Sequence, residues 1–388
     1  MFRSAGSAEP GAAAAPPVHL PSVEGPPAHW PPALRALAAG LVGAPAELAP
    51  ADSDAFAVAA VRTHRVAGFL AGAGRLPDGL SRQAADRIAD AARCEAFAAL
   101  RQKAETLRLV RRLAAARPVV LKGWPLAERL HGSAARRQAK DIDLLIASEA
   151  LPDAVARLMA DGYRPLPEHA LRARLLGSAA LIEECNDLAL RQPDTGHEVE
   201  LHWRSHHFRG WPDLADLPGA VEPHGAADDA VRVPSDGAHL VYLALHGEAH
   251  LWLRLKWLHD VRVLSLRRST HLGEDLALAG RIGAGPALMR AIRLAGLIFG
   301  GACPEGGPAP NGRDARFAAR CLALIGRGVE PGSAPARRSF YQAALGRAEG
   351  PGQALGVLRY LLWRRMRLGA AALGAARGPA VRTAEGTP

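Results

Sequence analysis

Two aspartates, Asp141 and Asp143, are the residues of this chain whose type and spacing are best suited to chemistry. They stand at the start of an apolar run, 142–146, that is typical of a strand, in which side chains alternate between the two faces. Both carboxylates therefore point to one side, where they repel each other unless a cation lies between them. Oxygen ligands on a rigid strand suit Mg²⁺, which takes one or two carboxylates and completes its shell with water and phosphate oxygens. Because Asp-x-Asp is a common pattern, solvated acids at a strand entrance are the alternative interpretation.

A candidate anion site precedes the two aspartates. The apolar residues 119–121 predict a short strand, and Lys122 and Gly123 follow it as a turn. Pro125 is well placed to begin the next helix, which we expect to run to about residue 130. Backbone N–H groups and the helix dipole attract anions at such a turn, and Lys122 adds a positive charge.

A third carboxylate comes from a region further along the chain. Residues 179–190 and 197–203 indicate two strands joined by a turn at 193–196. In the second strand, Glu198, Glu200 and His202 share one face, and the apolar residues between them share the other. Glu200 can therefore complete an acidic cluster with Asp141 and Asp143.

The chain resembles the uncharacterised bacterial nucleotidyltransferases of the DNA polymerase β-like superfamily over about residues 55 to 265. Each motif is weak alone, but their combination is fairly specific. The motifs that carry the resemblance are Leu121-Lys122-Gly123, Arg137, Asp141-Ile142-Asp143-Leu144-Leu145, Glu200-Leu201-His202-Trp203, His246, His250 and the run 254–260. One departure concerns the helix start, where members of the superfamily commonly have Gly-Ser and this chain has Gly123-Trp124. The serine hydroxyl that would contact a phosphate is missing.

The resemblance implies roles for named residues. Asp141, Asp143 and Glu200 match the catalytic carboxylates that bind Mg²⁺ or Mn²⁺, and Lys122, Gly123 and Arg137 match the segment that holds the triphosphate. His202 shares a face with Glu200, and Arg254 is a candidate contact to phosphate or acceptor, with a structural ion pair as the equal alternative. The implied activity is metal-dependent transfer of a nucleoside monophosphate from an NTP, such as ATP, to an unknown acceptor. A small molecule, a peptide or RNA are the acceptor candidates.

Two other functions stay open at this point. The first is a toxin-like nucleotidyltransferase that modifies tRNA ends, and the second is a catalytically degenerate module that binds nucleotide for regulation. Carboxylates at all three positions count against the second, since a retired site has no reason to keep like charges close together. His246 and His250 lie one helical turn apart but lack the glutamate that a zinc protease needs directly after the first histidine. They either border the cleft or pack in the core.

Composition is consistent with an anionic partner. The formal net charge is +10, although a chain so rich in arginine has this excess by default. The chain has four lysines, and three of them lie within the motif segments: Lys122, Lys140 and Lys256. Scattered cysteines, the absence of a signal-peptide core and the absence of a long apolar run predict a cytoplasmic protein without a transmembrane segment.

These patterns predict an α+β protein in which a mixed-sheet nucleotidyltransferase core is flanked by N-terminal and C-terminal helical regions. The expected divisions are a flexible leader over 1–30, a helical region over 31–117, the core over 118–234, a helical region over 235–377 and a disordered tail over 378–388. Individual helices are expected near 52–71, 81–116 with Ser81 as cap, 149–162, 235–266, 272–283, 286–300, 313–328, 334–349 and 353–374. Within the last, the basic amphipathic run 358–368 is expected to pack on its own domain, with membrane or RNA contact as the alternative.

Overall fold

A computed structural model describes residues 25–205, 213–225, 231–300, 312–334 and residue 366. Over these residues the protein is α+β, as predicted, with one mixed sheet and helices before, within and after it. Among the described residues, no helix combines the length and the apolar character that crossing a membrane would require.

The sheet has the strand order β3-β4-β5-β2-β1-β7-β6. Its strands are β1 (Val119–Val120), β2 (Asp141–Leu145), β3 (Arg164–Pro165), β4 (Asp187–Arg191), β5 (Glu198–His202), β6 (Val221–His224) and β7 (Val231–Pro234). The helices are α1 (Pro32–Val42), α2 (Ser53–Val58), α3 (Ala67–Ala73), α4 (Arg82–Arg112), α5 (Trp124–His131), α6 (Leu151–Ala160), α7 (Ala170–Arg174), α8 (Ala179–Glu184), α9 (Asp236–Ala249), α10 (Leu255–Arg267), α11 (Leu272–Arg281), α12 (Gly285–Phe299) and α13 (Gly312–Gly326).

The pairing of β2 with β5 brings the acidic motifs together. The two strands run parallel, and Asp143 lies directly opposite Glu200. On the other side of β2, β1 runs antiparallel to it, with Val120 opposite Leu144. The turn at Lys122 and Gly123 follows β1 and therefore begins beside the start of β2.

Strand alternation separates the charged face of the sheet from an apolar one. Ile142 and Leu144 of β2, together with Val199 and Leu201 of β5, enter a core that α4 and α6 cover. The intervening side chains, including Asp143 and Glu200, occupy the opposite face. The N-terminal helices, α9 to α13 and the apolar residues of α5 share a second core on that side. Burial of the apolar face thus fixes the acidic residues on the other.

Several predicted elements are confirmed with small shifts at their ends. The long helix α4 begins directly after Ser81, whose hydroxyl accepts a hydrogen bond from the Ala84 N–H at 3.3 Å. Strands β2 and β5 and the turn between β4 and β5 lie where the sequence predicts them. Strands β6 and β7 had no sequence prediction of their own.

Two predicted single helices are wrong because each is interrupted. The helix expected over 52–71 is divided into α2, a π-helical turn (Ala59–Thr63) and α3, and Arg65 between them has a left-handed φ of 56°. The helix expected over 235–266 is divided into α9 and α10, with left-handed backbone at Leu251 and Trp252. Trp252 folds back onto α9, where a Cβ at Gly247 would lie 2.1 Å from its ring. This tertiary contact overrides the local helical pattern.

The strand expected over 179–190 is also partly wrong. Its first half forms the short helix α8, which Ser178 caps by accepting a hydrogen bond from the Leu181 N–H. Only Asp187–Arg191 forms the strand β4. Residues 1–24 of the predicted leader, the predicted helices over 335–374, including the basic run 358–368 apart from residue 366, and the predicted tail lie outside the described residues.

Candidate active site

The candidate site is built from facing residues of β2 and β5. Asp143 is 1% exposed, and its Oδ1 lies 3.3 Å from His202 Nε2. His202 Nε2 also lies 3.5 Å from Glu200 Oε2, and the Glu200 side chain is 32% exposed. Potential ligand atoms of Asp143, Glu200 and His202 all lie within 4.8 Å of one another. We call these three residues the acidic cluster.

Lys122 joins this cluster from the turn after β1. Its Nζ lies 3.0 Å from Asp143 Oδ1 and 3.8 Å from Asp141 Oδ1. Burial opposes its charge, but the carboxylates of Asp141 and Asp143 raise the pKa of Lys122 well above its ordinary value. Lys122 therefore stays protonated and acts as a fixed positive charge.

The electrostatic environment of the acidic cluster shifts the pKa values of its two carboxylates in opposite directions. Burial opposes ionisation of Asp143, but Lys122 and His202 hold its pKa below the ordinary value. Burial, together with the charges of Asp143 and Asp141, raises the pKa of Glu200. Burial also opposes protonation of His202, yet its bonds to Asp143 and Glu200 raise its pKa to about 10. Glu200 is therefore the carboxylate of the cluster that takes up a proton most readily.

The donor set fits a divalent cation. Asp143 Oδ2 is buried and, among the described residues, has no hydrogen-bond partner. A buried carboxylate oxygen without a donor is costly unless an ion or water binds it. Asp141 is not one of the three residues with ligand atoms inside 4.8 Å, but it lies on the same face and shares Lys122 with Asp143. Oxygen atoms from these acids are the ligands that Mg²⁺ and Mn²⁺ prefer.

Gly123 is required by its backbone conformation at the start of α5. Its φ of 87° and ψ of −141° belong to a region that glycine alone adopts freely. A Cβ there would meet no atom within 4 Å, so conformation rather than space selects glycine. Trp124, the next residue, is buried, with Lys103 Nζ 4.3 Å from its ring centroid. The turn therefore offers backbone N–H groups without a hydroxyl.

The described partners of Arg137 and Arg254 lie outside the acidic cluster. Arg137 is buried, and its Nε donates to Asp260 Oδ2 at 2.8 Å. Asp260 Oδ1 lies 3.3 Å from His131 Nε2, and His131, His259 and Asp260 form a second potential ligand group. We call these three residues the buried triad.

Arg254 precedes α10 and is also buried. Its guanidinium lies 5.8 Å from the Trp257 ring centroid. Among the described residues, neither Arg137 nor Arg254 forms an ion pair with Asp143 or Glu200, although the Asp141 charge partly opposes the lowering of the Arg254 pKa by burial.

An aromatic row runs along α9 to its C-cap, and the sequence analysis singled out its two histidines but not Tyr242. Tyr242, His246 and His250 stand four residues apart, and neighbouring ring centroids lie 5.9 and 4.6 Å apart. The Trp257 ring contacts both histidines. Burial lowers the pKa of His246 well below its ordinary value, and the charges of Lys122, Arg137 and the neighbouring histidines lower it further. The four-residue spacing was the available sequence signal.

These features define a class of protein. Paired acids on adjacent strands beside a glycine turn, in a mixed sheet flanked by helices, are consistent with a nucleotidyltransferase-like core. Residues 50–300 match the family described as uncharacterised nucleotidyltransferase, and the chain belongs to this family. Membership supports nucleotidyl transfer as the general activity and an NTP as substrate. No curated protein and no solved structure matches the chain.

Proposed function

We propose that this protein is a metal-dependent nucleotidyltransferase that moves a nucleoside monophosphate from an NTP to a hydroxyl- or phosphate-bearing acceptor. The observation that carries the proposal is the register of β2 and β5, which sets Asp143 opposite Glu200 and leaves a buried Asp143 oxygen without a partner. Family membership supplies the reaction class, and these residues supply the place where it would occur.

Asp143, Glu200 and Asp141 would hold Mg²⁺ or Mn²⁺. Three carboxylates exceed the two cationic groups, Lys122 and His202, that contact them. When bound, a divalent ion supplies Lewis-acid stabilisation of the charge that develops on the phosphates. His202 would hydrogen-bond to Asp143 or to Glu200 rather than bind the ion, since its Nε2 reaches both carboxylates.

Glu200 is suited to receive the acceptor's proton. It is partly exposed, and its pKa is raised by burial and by the neighbouring acids. In the proposed step the acceptor oxygen forms a bond to the α-phosphorus, the bond to the pyrophosphate oxygen breaks, and the acceptor proton passes to the Glu200 carboxylate. A raised pKa makes this transfer more favourable near neutral pH.

Lys122 and the Gly123 turn would bind the phosphate chain. Lys122 carries a permanent charge beside the acids, and the start of α5 contributes N–H groups and the positive end of the helix dipole. Both features stabilise negative charge on the departing pyrophosphate. The buried Arg137, whose Nε binds Asp260, would add positive charge that offsets the charge of the leaving group.

The direct test is transfer of an α-phosphate label. Purified protein with Mg²⁺ and each α-labelled NTP, incubated with cell RNA or with a small-molecule extract, should yield a labelled acceptor. Asp143→Asn should lower the rate on the order of 10³-fold, because it removes a metal ligand worth several kcal/mol to the transition state. Asp194→Asn changes an exposed aspartate in the turn between β4 and β5 and should leave the rate unchanged.

Circular dichroism would establish that both variants are folded. A folded Asp143→Asn variant as active as the wild type would contradict the proposal. Wild-type protein that binds NTP yet labels neither extract would also contradict it. The fraction that carries the label would show whether the acceptor is RNA or a small molecule.

A further inference from the structure

Positive side chains converge where α10 begins. Arg254 immediately precedes α10, Lys256 is its second residue, and Arg65 lies close enough to Arg254 to lower its pKa. Arg137 has the same effect on Lys256. Arg254 and Lys256 are both buried, at 8% and 9% exposure. Such a group of buried like charges is unfavourable unless an anion accompanies it.

A hydrogen bond between residues far apart in the sequence brings the segment of Arg65 next to the start of α10. His64 Nδ1 accepts the N–H of Leu255 at 3.2 Å, which fixes the segment before α3 against the first turn of α10. The next residue, Arg65, has a left-handed φ of 56°. A non-glycine residue in this conformation costs about 1–2 kcal/mol. Leu251 and Trp252, just before Arg254, have left-handed φ values as well. The surrounding contacts therefore keep the backbone on both sides of the charged residues in costly conformations.

The start of α10 reverses the usual charge preference of a helix. Its first turn contains no acidic residue, and no side chain caps it. The N-terminal end of a helix carries partial positive charge and favours acids there. Arg254 and Lys256 instead place two basic groups there. Burial and the neighbouring cations lower the pKa of Lys256 well below its ordinary value, so its charged form is disfavoured unless an anion lies nearby.

The partners present leave this charge only partly balanced. Lys256 Nζ donates to the Gln138 carbonyl at 2.9 Å, which is a neutral acceptor. Arg254 Nη2 lies 3.9 Å from Glu330 Oε2, a half-exposed carboxylate. Within the described residues, the buried Arg254 Nε has no hydrogen-bond acceptor. Gln138 stands three residues before Asp141, so its hydrogen bond places Lys256 on the Asp141 side of the candidate site, and the Asp141 charge partly opposes the lowering of the Arg254 and Lys256 pKa values.

We propose that Arg65, Arg254 and Lys256 form a pocket for an oxyanion beside Asp141, and that the pocket takes a phosphate group of the nucleotide or of the acceptor. The choice between these two phosphates rests on the nucleotidyl-transfer function proposed above. The pocket itself depends only on the charges and contacts around α10.

Pyrophosphate binding without metal tests the pocket separately from catalysis. Isothermal titration calorimetry in the presence of EDTA should detect pyrophosphate binding to the wild-type protein. Arg65→Gly should weaken this binding about tenfold, the usual value of one lost charge-assisted contact. Because glycine adopts the φ of position 65 freely, this variant should fold with equal or greater stability. Lys256→Met, which keeps a similar shape, should weaken binding to a similar extent.

Arg117→Gly is a matched control. Arg117 is exposed, has a left-handed φ of 48° and follows the 3₁₀ turn Ala114–Ala116 between α4 and β1, so the variant loses the same charge and relieves the same kind of strain. Its melting temperature should change as that of Arg65→Gly does, and its pyrophosphate affinity should equal the wild-type value. Absence of pyrophosphate binding by the wild type, or unchanged affinity in Arg65→Gly or Lys256→Met, would overturn the pocket.

Competition distinguishes the two sources of phosphate. If the pocket holds the nucleotide's phosphate chain, pyrophosphate displaces ATP and both pocket variants lose ATP affinity. If it holds a phosphate of the acceptor, ATP and pyrophosphate bind together. Both results support the pocket. If the protein binds pyrophosphate through these residues but transfers no label, the pocket proposal stands and the nucleotidyl-transfer proposal fails.

Discussion

The acidic cluster and the buried triad contain similar residues but differ in how their charges are balanced. Each brings three potential ligands within 4.8 Å, and each includes an aspartate that is 1% exposed. In the triad, Asp260 binds His131 through one oxygen and Arg137 through the other. In the acidic cluster, Lys122 and His202 both contact Oδ1 of Asp143, and Oδ2 has no described partner.

This difference separates a candidate ion site from a structural network. The triad has no carboxylate oxygen left over, and all of its members are buried. The acidic cluster has a free buried oxygen, a partly exposed Glu200 and more acids than cations. Residue type and distance alone would rank the two groups equally. The unused lone pair and the charge balance decide between them.

Breaking the buried triad should lower stability far more than changing an exposed aspartate. Asp260→Ala leaves the buried Arg137 guanidinium without its carboxylate and should lower the free energy of unfolding by about 3–5 kcal/mol. Urea unfolding followed by circular dichroism measures this loss. The same substitution at the exposed Asp194 should change stability by less than about 0.5 kcal/mol. A loss at Asp260 no larger than at Asp194 would show that the triad is not a stabilising network.

Acidification should destabilise the protein through His259 of the buried triad. Burial and the neighbouring His131 lower the pKa of His259 from 6.5 to about 3. The unfolded chain therefore takes up this proton first, so the contribution of neutral His259 is present above pH 6.5 and is lost as the pH falls toward 3. The loss should be on the order of a few kcal/mol.

Urea unfolding between pH 7 and pH 4 measures this effect. His259→Phe keeps an aromatic ring among Phe69 and Phe299 but cannot be protonated. It should reduce the decline in stability on acidification. If the variant and the wild type decline equally, His259 is not held neutral in the fold.

Local rules predicted the acidic face of the sheet from sequence. Strand alternation placed Glu200 and His202 on one face, and the apolar residues between them enter the core as expected. The Ser81 cap of α4 was also visible, because its partner lies three residues away. Such features depend on neighbouring residues alone.

Features that depend on distant contacts could not be predicted in this way. The division between α9 and α10 follows from packing of Trp252 on Gly247, and helical periodicity runs through it without a break. The Nε of Arg137, a residue expected to hold a triphosphate, binds Asp260, 123 residues away, and that expected role stays a prediction. No spacing in the sequence indicates that pair. Likewise, the hydrogen bond from the Leu255 N–H to His64, which places Arg65 near Arg254, joins residues 191 positions apart.

Binding of Mn²⁺ tests the central claim most directly, because it compares the two groups without requiring a known acceptor. Electron paramagnetic resonance of free Mn²⁺ would be measured during titration of the wild type, Asp143→Asn and His259→Phe. We expect the wild type to bind Mn²⁺, Asp143→Asn to bind at least about tenfold more weakly, and His259→Phe to match the wild type. Equal binding by the wild type and Asp143→Asn, or loss of binding in His259→Phe, would contradict the assignment of the ion site to the acidic cluster.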